Sequence, residues 1–381
     1  MKILLVKGNI KEFYEKHDTN SMFDLNQIIE MLKETDSTDR IKKMLPDDNS
    51  DYFLRAGDIR RFYSSFAEAF SGFILFLDKI RKINNIYLIN PTFTLEHNLK
   101  KELGKFIVDK VYSYKNISNV SLVESYIWLK NNKIYGQNNA LKSIHSSLID
   151  YLDDKSCKVF LLYGPSGVGK TETIKSFHDI IHPDDKLTRV QFSMLNDEEG
   201  VEYVFGNDSS KKSFAEELLN RESNIILLDE FDKCHPHLYN SFYQMFDENK
   251  FKNNNYEIDL SNLIVFCTSN FSSLEDIKSR VGSPLYGRFT QIIKYDQINM
   301  FEQNRLLEKY IDEFYDKLNT EQKLEIPVEI IKNKLNDYLK PGLNAREIKR
   351  EIRRVLNRYL FNIELKKYNT HTLPTSKKFN T

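Results

Sequence analysis

The stretch "KVFLLYGPSGVGKTETIKSFHDII", residues 158–181, decides the fold. It opens as an unbroken apolar run, the pattern of a strand buried on both faces of a parallel sheet. It closes with the apolar spacing of a helix. Between the two stands G-x-x-x-x-G-K-[ST], written here as Gly164, Pro165, Ser166, Gly167, Val168, Gly169, Lys170 and Thr171. Glycines at that spacing let backbone N–H groups turn inward and cradle phosphate oxygens. The helix that follows aims its positive end at the same anion. Lys170 is placed to reach the β- and γ-phosphates and Thr171 to hold Mg2+, with Glu172 beside them. A strand before the loop and a helix after it are the context this motif requires. The expected ligands are therefore ATP and Mg2+.

Further along, "IILLDE" (residues 225–230) is a second apolar strand that ends in two carboxylates. Carboxylates at the end of a parallel strand lie beside the phosphate loop. Asp229 is expected to hold Mg2+, directly or through water, and Glu230 to polarise the attacking water. "CTSN" (267–270) ends another strand. Its Asn270 is a candidate to orient that water, with a plain turn residue as the competing reading. Two arginines stand out from the many that read as surface salt bridges: Arg288 in "SPLYGRF" and Arg346 in "GLNAREIKR". A guanidinium can stabilise charge on a transferring phosphoryl group, often from a neighbouring subunit.

Strand and helix patterns alternate from about residue 126 to 298, which predicts a parallel sheet covered on both faces. From 299 to 367 only helical patterns remain, a small all-helical domain, and 368–381 reads as a flexible tail. Residues 1–125 form a block of their own, α/β or α+β. "KILLV" and "NNIYLINP" read as strands and "DIRRFYSSFAEAFSGFILFLDKIRK" as a helix with core-facing aromatics. This block carries no motif, and the chain shows no internal sequence repeat.

Composition narrows the classes. Lys+Arg and Asp+Glu balance at 55 each over 381 residues, which argues against a dedicated nucleic-acid binder. The basic run "REIKREIRRVLNRY" (346–359) reads as a solvated helix face. Cys157, Cys234 and Cys267 stand far apart, without the pairing of a disulfide or zinc framework, which suits a reducing cytoplasm. "CHPH" (234–237) has no companion ligands at workable spacing, so no metal is expected there. No apolar run approaches the ~20 residues of a membrane span, and the first residues do not form a signal peptide.

Taken together, these motifs resemble the AAA+ ATPases of the Clp family, most closely the second ATPase ring of the Clp disaggregases. The likeness covers residues 126–367. "LLDEFDKCHPHLYNSFYQMFDENKF" resembles that family's Walker B segment. "KIYGQNNAL" (133–141) resembles the segment that packs on the adenine, which brings in Ile134, Tyr135 and Gln137. By the same likeness Asn270 is sensor 1, Arg288 the arginine finger acting in trans, and Arg346 the sensor 2 arginine that reaches the phosphates from the lid. Asn344 stands where the family has glycine.

The stretch "EEGVEYVFGND" (198–208) has two readings on its residues: a short strand that buries its aromatics, or a loop that grips another protein. The resemblance places a pore loop at "EYVFG", with Tyr203, Val204, Phe205 and Gly206 as its residues and either aromatic as the leader. It implies a hexamer that pulls polypeptide through a central pore. No docking on a Clp peptidase is expected, because the family's tripeptide for it is missing between Asn270 and Arg288. A second reading is a dedicated remodeller or ATP-gated assembly switch that recruits one effector through residues 1–125. A nucleic-acid motor is a third, resting on the basic helix alone.

Overall fold

The computed structural model describes every residue except 33–37, 56–63, 150–153, 196–197, 206–212, 337–341 and 373–381. Its strands are β1 (Lys2–Gly8), β2 (Phe23–Asp24), β3 (Ser50–Arg55), β4 (Ile83–Ile89), β5 (Ile107–Tyr112), β6 (Lys158–Tyr163), β7 (Thr188–Gln191), β8 (Ile225–Asp229), β9 (Lys250–Lys252), β10 (Glu257–Asp259), β11 (Ile264–Thr268) and β12 (Gln291–Lys294). Two of these groups form five-stranded sheets, and β9 and β10 form a small hairpin.

In the second sheet the order is β12-β6-β11-β8-β7 and every pairing is parallel. The apolar runs explain why both faces are covered. Val159, Leu161, Ile226, Leu228, Val265 and Cys267 enter one core. Their alternates Phe160, Leu162, Ile225, Leu227, Ile264 and Phe266 enter the other. Side chains alternate across a strand, so a run apolar at every position needs a layer of helices on each side. After Ile298 the chain is helical, and Leu306, Leu307, Ile311, Ile331, Ile348 and Ile352 build a separate lid core.

The first sheet runs β2-β3-β4-β1-β5, again all parallel. Counted in chain order within each sheet, both have the order 2-3-4-1-5. The internal repeat that the sequence does not show is present in the fold. The ladder registers extend the match to single residues. Gly8 at the end of β1 has φ +90°, and a Cβ there would lie 2.1 Å from the Tyr112 carbonyl oxygen. Gly164, just after β6, has φ +135°, and its Cβ would lie 2.2 Å from the Tyr295 carbonyl oxygen. The Asn90 N–H donates to Val6 O at 2.8 Å, as the Ser269 N–H does to Leu162 O at 2.8 Å.

The chemistry is not repeated. After Gly8 a short helix begins at Ile10, so no loop intervenes to cradle a phosphate. Ile89 pairs with Arg55, whereas continuing the Cys267–Leu228 pairing by one step sets Thr268 beside Asp229. Arg55 thus holds the register position of Asp229. The first sheet's strand ends dock on the elements around the second sheet instead. Asn90 Nδ2 donates to Leu219 O at 3.2 Å, the Phe93 N–H to Asn255 O at 2.8 Å and Lys11 Nζ to Asp185 Oδ1 at 2.8 Å.

Several elements differ from the sequence reading, each for a local reason. β5 is an edge strand whose middle residues are exposed and charged, so it lacks an apolar signature. "RVQFSML" stops being strand at Gln191, where Phe192 turns inward onto Phe231 and Phe242. The seam between the first two domains falls before Ile117 rather than at 125. Ile117, Leu122 and Leu129 pack with Phe160, Ile174 and Phe177, so the helix Asn119–Asn132 belongs to the second core. The last helix continues to Thr372, four residues past the expected start of the tail at 368; 373–381 lies outside the described residues. Among the described residues no helix is long and apolar enough to cross a membrane.

Gly8 and Gly72 make opposite cases. Gly8→Ala forces a side chain into the left-handed region and against a carbonyl, and is expected to cost about 2 kcal/mol or more. Gly72 lies exposed inside the helix Ser64–Ile80 with nothing within 4 Å of a Cβ. Gly72→Ala is expected to stabilise by about 0.5–1 kcal/mol through helix propensity. Denaturant midpoints of the two variants against the parent chain check both signs.

Candidate functional site

The helix Lys170–Ile181 starts directly after Gly169, whose φ of 104° is left-handed, and no side chain caps it. Its first N–H groups are therefore open toward the loop, the arrangement that receives an anion. Around this point lies a cavity of about 590 Å³. Seven lysines and arginines line it against four acids, a balance suited to a polyphosphate. Ile134, Tyr135, Ile298 and Leu306 give it an apolar wall, with Arg305 and Lys309 over the Tyr135 ring at 4.8 and 5.3 Å.

Most of the residues singled out in the sequence meet in this cavity: Ser166, Gly167, Val168, Gly169, Lys170, Thr171, Glu172, Ile134, Tyr135, Asp229, Glu230, Asn270 and Arg346 all line it. Lys170 Nζ donates to Gly164 O at 2.7 Å, Pro165 O at 2.6 Å and Asn270 Oδ1 at 3.3 Å. Gln137 does not line the cavity. It clamps its wall, with Nε2 donating to Asp296 O at 2.8 Å and Val168 O at 3.5 Å, and Oε1 accepting the Asp296 N–H.

Asp229 is the centre of the polar network. Its side chain is 5% exposed. Oδ1 accepts from Thr171 Oγ1 at 3.0 Å and from Thr268 Oγ1. Oδ2 accepts from Arg189 Nε at 3.0 Å and Nη2 at 2.5 Å. Burial pushes its pKa up, but the bonds from Thr268, Arg189 and Thr171 and the guanidinium charge outweigh burial and hold it below the usual carboxylate value. The Thr171–Asp229 oxygen separation of 3.0 Å also matches the edge between neighbouring ligands of an octahedral Mg2+, about 3 Å at the usual Mg–O length. These two residues fit that metal.

Glu230 sits at φ +57°, a left-handed value that a non-glycine residue adopts at a cost of about 1–3 kcal/mol. The Thr268 hydroxyl accepts its N–H at 3.2 Å, and Gln191 Nε2 donates to its Oε2 at 3.3 Å. Thr268, Gln191 and Arg189 were missed in the sequence. Thr268 lies two residues before the candidate Asn270, at the strand end facing Asp229. Arg189 and Gln191 alternate along β7, which was legible only as a strand.

Arg288 is not brought to this cavity. It donates to Pro284 O at 2.9 Å and Asp247 Oδ2 at 3.0 Å and lies over the Tyr243 ring. The lid, by contrast, touches the phosphate loop directly. The Ala345 N–H donates to Gly167 O at 3.1 Å, and Asn344 packs on Gly167 so closely that a Cβ there would meet Asn344 Oδ1 at 2.6 Å. Asn344 also caps the last helix, accepting the Glu347 N–H at 3.0 Å while Glu347 Oε2 accepts its own.

"EYVFG" differs from the expected loop. Residues Glu198–Phe205 form a helix, Val204 is fully buried, and Tyr203 packs on Phe214 at 6.2 Å between centroids. Burial raises the Tyr203 phenol well above its usual pKa. Gly206 lies outside the described residues. In "CHPH", His235 caps the helix Pro236–Asp247, Cys234 is buried, and no metal-holding cluster occurs among the described residues.

A phosphate loop on an uncapped helix, beside a strand ending in a buried aspartate and a glutamate, defines a P-loop nucleotide hydrolase. The family model described as the AAA domain (Cdc48 subfamily) matches residues 155–346. The chain belongs to this family and is an ATPase. It is 23% identical over 255 residues to the chaperone protein ClpB of Mycoplasmoides gallisepticum, covering 60% of this chain and 35% of that protein. Against ClpB of Aquifex aeolicus it is 26% identical over 230 residues, 51% of this chain and 23% of that protein. The chain thus spans about a third or less of these relatives. A closed-state cryo-EM reconstruction of Hsp104 with ATPγS and FITC casein shares the fold, with a TM-score of 0.54 at 14% identity, covering 95% of this chain and 88% of that one.

Lys170 gives the site a pH dependence. Burial, helped by the Arg346 charge and opposed by Asp232 and Asp229, lowers its pKa to about 8. The folded chain therefore holds this proton less tightly than the unfolded one. The Lys170 contribution to stability rises with pH between about 8 and 10.5. For an anionic ligand the sign is reversed, since a bound polyphosphate keeps the lysine charged. Nucleotide affinity is expected to be flat below about pH 7.5 and to weaken above about 8, approaching tenfold per unit. Calorimetry at pH 8.5 in buffers of different ionisation heat should show proton uptake on binding.

Proposed function

We propose that this ATPase is a ring-forming, Clp-type motor that couples hydrolysis of ATP to pulling on polypeptide. The observation that carries the reading is the lid's contact with the phosphate loop, Ala345 N–H to Gly167 O beside Asn344. A lid hinged on the atoms that receive the nucleotide is moved by whatever moves them. Arg346, one residue on, extends into the cavity from that lid.

Within the site, the loop amides and Lys170 bind and orient the triphosphate. Thr171 and Asp229 hold Mg2+, which when bound neutralises phosphate charge. Glu230, fixed by Thr268, polarises the water, and Asn270 orients it. Of the arginines at the cavity, Arg189 is held on Asp229 and Arg346 comes from the lid. Arg288 stands away from its own cavity, so in this reading it serves the site of a neighbouring copy, and the working species is a hexamer. On the substrate side Tyr203 is held against Phe214. Gripping therefore falls to Phe205 and Gly206 beyond it, with Tyr203 and Val204 anchoring the base.

Two variants test the trans arrangement. Lys170→Ala removes binding from one chain and Arg288→Ala removes the finger from another, so each alone is expected to lose at least about 100-fold in turnover. Mixed in equal amounts, they should regain part of the activity, because some Arg288 side chains then face intact sites. No recovery on mixing, with mixed oligomers verified, would sink the in-trans role. For the pulling role, Phe205→Ala should keep ATP turnover within about threefold and lose ATP-dependent unfolding of a tagged fluorescent protein. Retained unfolding would remove Phe205 from the grip.

A further inference from the structure

We infer that Arg189 is a stand-in cation beside the metal position: it neutralises Asp229 and by its charge opposes the Mg2+ that the same carboxylate would hold. The inference rests on the nucleotide reading of the cavity and goes beyond it by naming the group that regulates metal entry.

Asp229 has little spare capacity. Its four bonds come from Thr171 and Thr268 on one oxygen and from two nitrogens of Arg189 on the other. Arg189 alone supplies charge among these donors. A carboxylate this buried needs a cation when the metal is away, because an uncompensated buried charge is costly. When the divalent ion arrives on the Thr171 side, at Oδ1, the same guanidinium on Oδ2 becomes a liability, since it repels a second positive charge at one carboxylate. Arg189 has somewhere to go. Its side chain is 36% exposed and lines the cavity.

The pair is also wired to the second carboxylate. Arg189 Nη2 donates to Gln191 Oε1 at 3.2 Å, and the same Gln191 donates through Nε2 to Glu230 Oε2 at 3.3 Å. Arg189 and Gln191 stand two residues apart on β7, on the same face of the strand. Release of Arg189 from Asp229 therefore disturbs the amide that restrains Glu230. Metal entry at one carboxylate loosens the hold on the other.

The test uses ADP, so that turnover plays no part. ADP is titrated into the full chain with EDTA and again with Mg2+, and the ratio of the two Kd values is the metal's contribution. Arg189→Met removes the charge and keeps the length. It is expected to raise that ratio about tenfold, a coupling of ordinary size, with the Kd in EDTA weakened by less than about tenfold. Arg189→Lys should stay near the parent ratio. Arg189→Gln, which keeps a donor without charge, repeats the measurement should the methionine variant fail to fold. An unchanged or lowered ratio in both neutral variants overturns the inference and makes Arg189 a plain brace. A loss of more than about tenfold in EDTA also overturns it, because Arg189 would then bind the nucleotide itself. Absence of ADP binding by the parent chain would instead sink the nucleotide reading of the cavity.

Discussion

Everything in the site is arranged around one buried carboxylate that must be surrounded by donors. Asp229 lies at the end of β8, and its partners come from three other elements: the phosphate-loop helix, β11 and β7. A carboxylate out of water costs several kcal/mol unless such donors are placed in advance. Their placement fixes which strands flank β8, since β7 and β11 are its two neighbours in the sheet. The strand order and the chemistry are thus a single constraint. Moving either neighbour would strand the aspartate without its threonine or its arginine.

The parts of this arrangement that were legible in the sequence are those that rest on local pattern. Apolar runs at every position gave β6, β8 and β11, and the glycine spacing from Gly164 to Gly169 gave the loop. What was missed depends on register. Thr268 and Arg189 have no signal in their own neighbourhoods, because they matter through what lies across the ladder. β5 and β12 were missed as sheet edges, where exposure dilutes the apolar run. "EEGVEYVFGND" read as strand or loop because Gly200 and Gly206 outweighed a helical spacing of Val201, Val204 and Phe205. Packing against Phe214 decides in favour of helix there.

The lid shows how a single substitution can be read only in three dimensions. In sequence, Asn344 looked like a mild departure from glycine. In the structure it does two jobs: its side chain caps the last helix and its body lies against Gly167. A residue at position 167 with any side chain would push Asn344 away and lift the start of that helix. The cap and the phosphate loop are therefore mechanically one object, although Gly167 and Asn344 lie 177 positions apart in the chain.

The two sheets carry the last step. They share strand order, parallel direction, a left-handed glycine against a carbonyl and an N–H returned to the first strand. These features belong to the frame, since each is required to pass a chain closely over a neighbouring strand. What differs is confined to the strand ends. One sheet has a loop of five residues before its helix and an aspartate on its third strand; the other has Asn9 alone before its helix and Arg55 on its third strand. The frame therefore does not specify the chemistry. With no loop to hold a phosphate, the first sheet's strand ends are free to bind protein. Asn90 and Lys11 do so, gripping the turns around Leu219 and Asp185, which lead into β8 and β7. Those are the strands that bear Asp229 and Arg189, so one copy of the frame holds the entry ends of the strands whose far ends do the chemistry in the other.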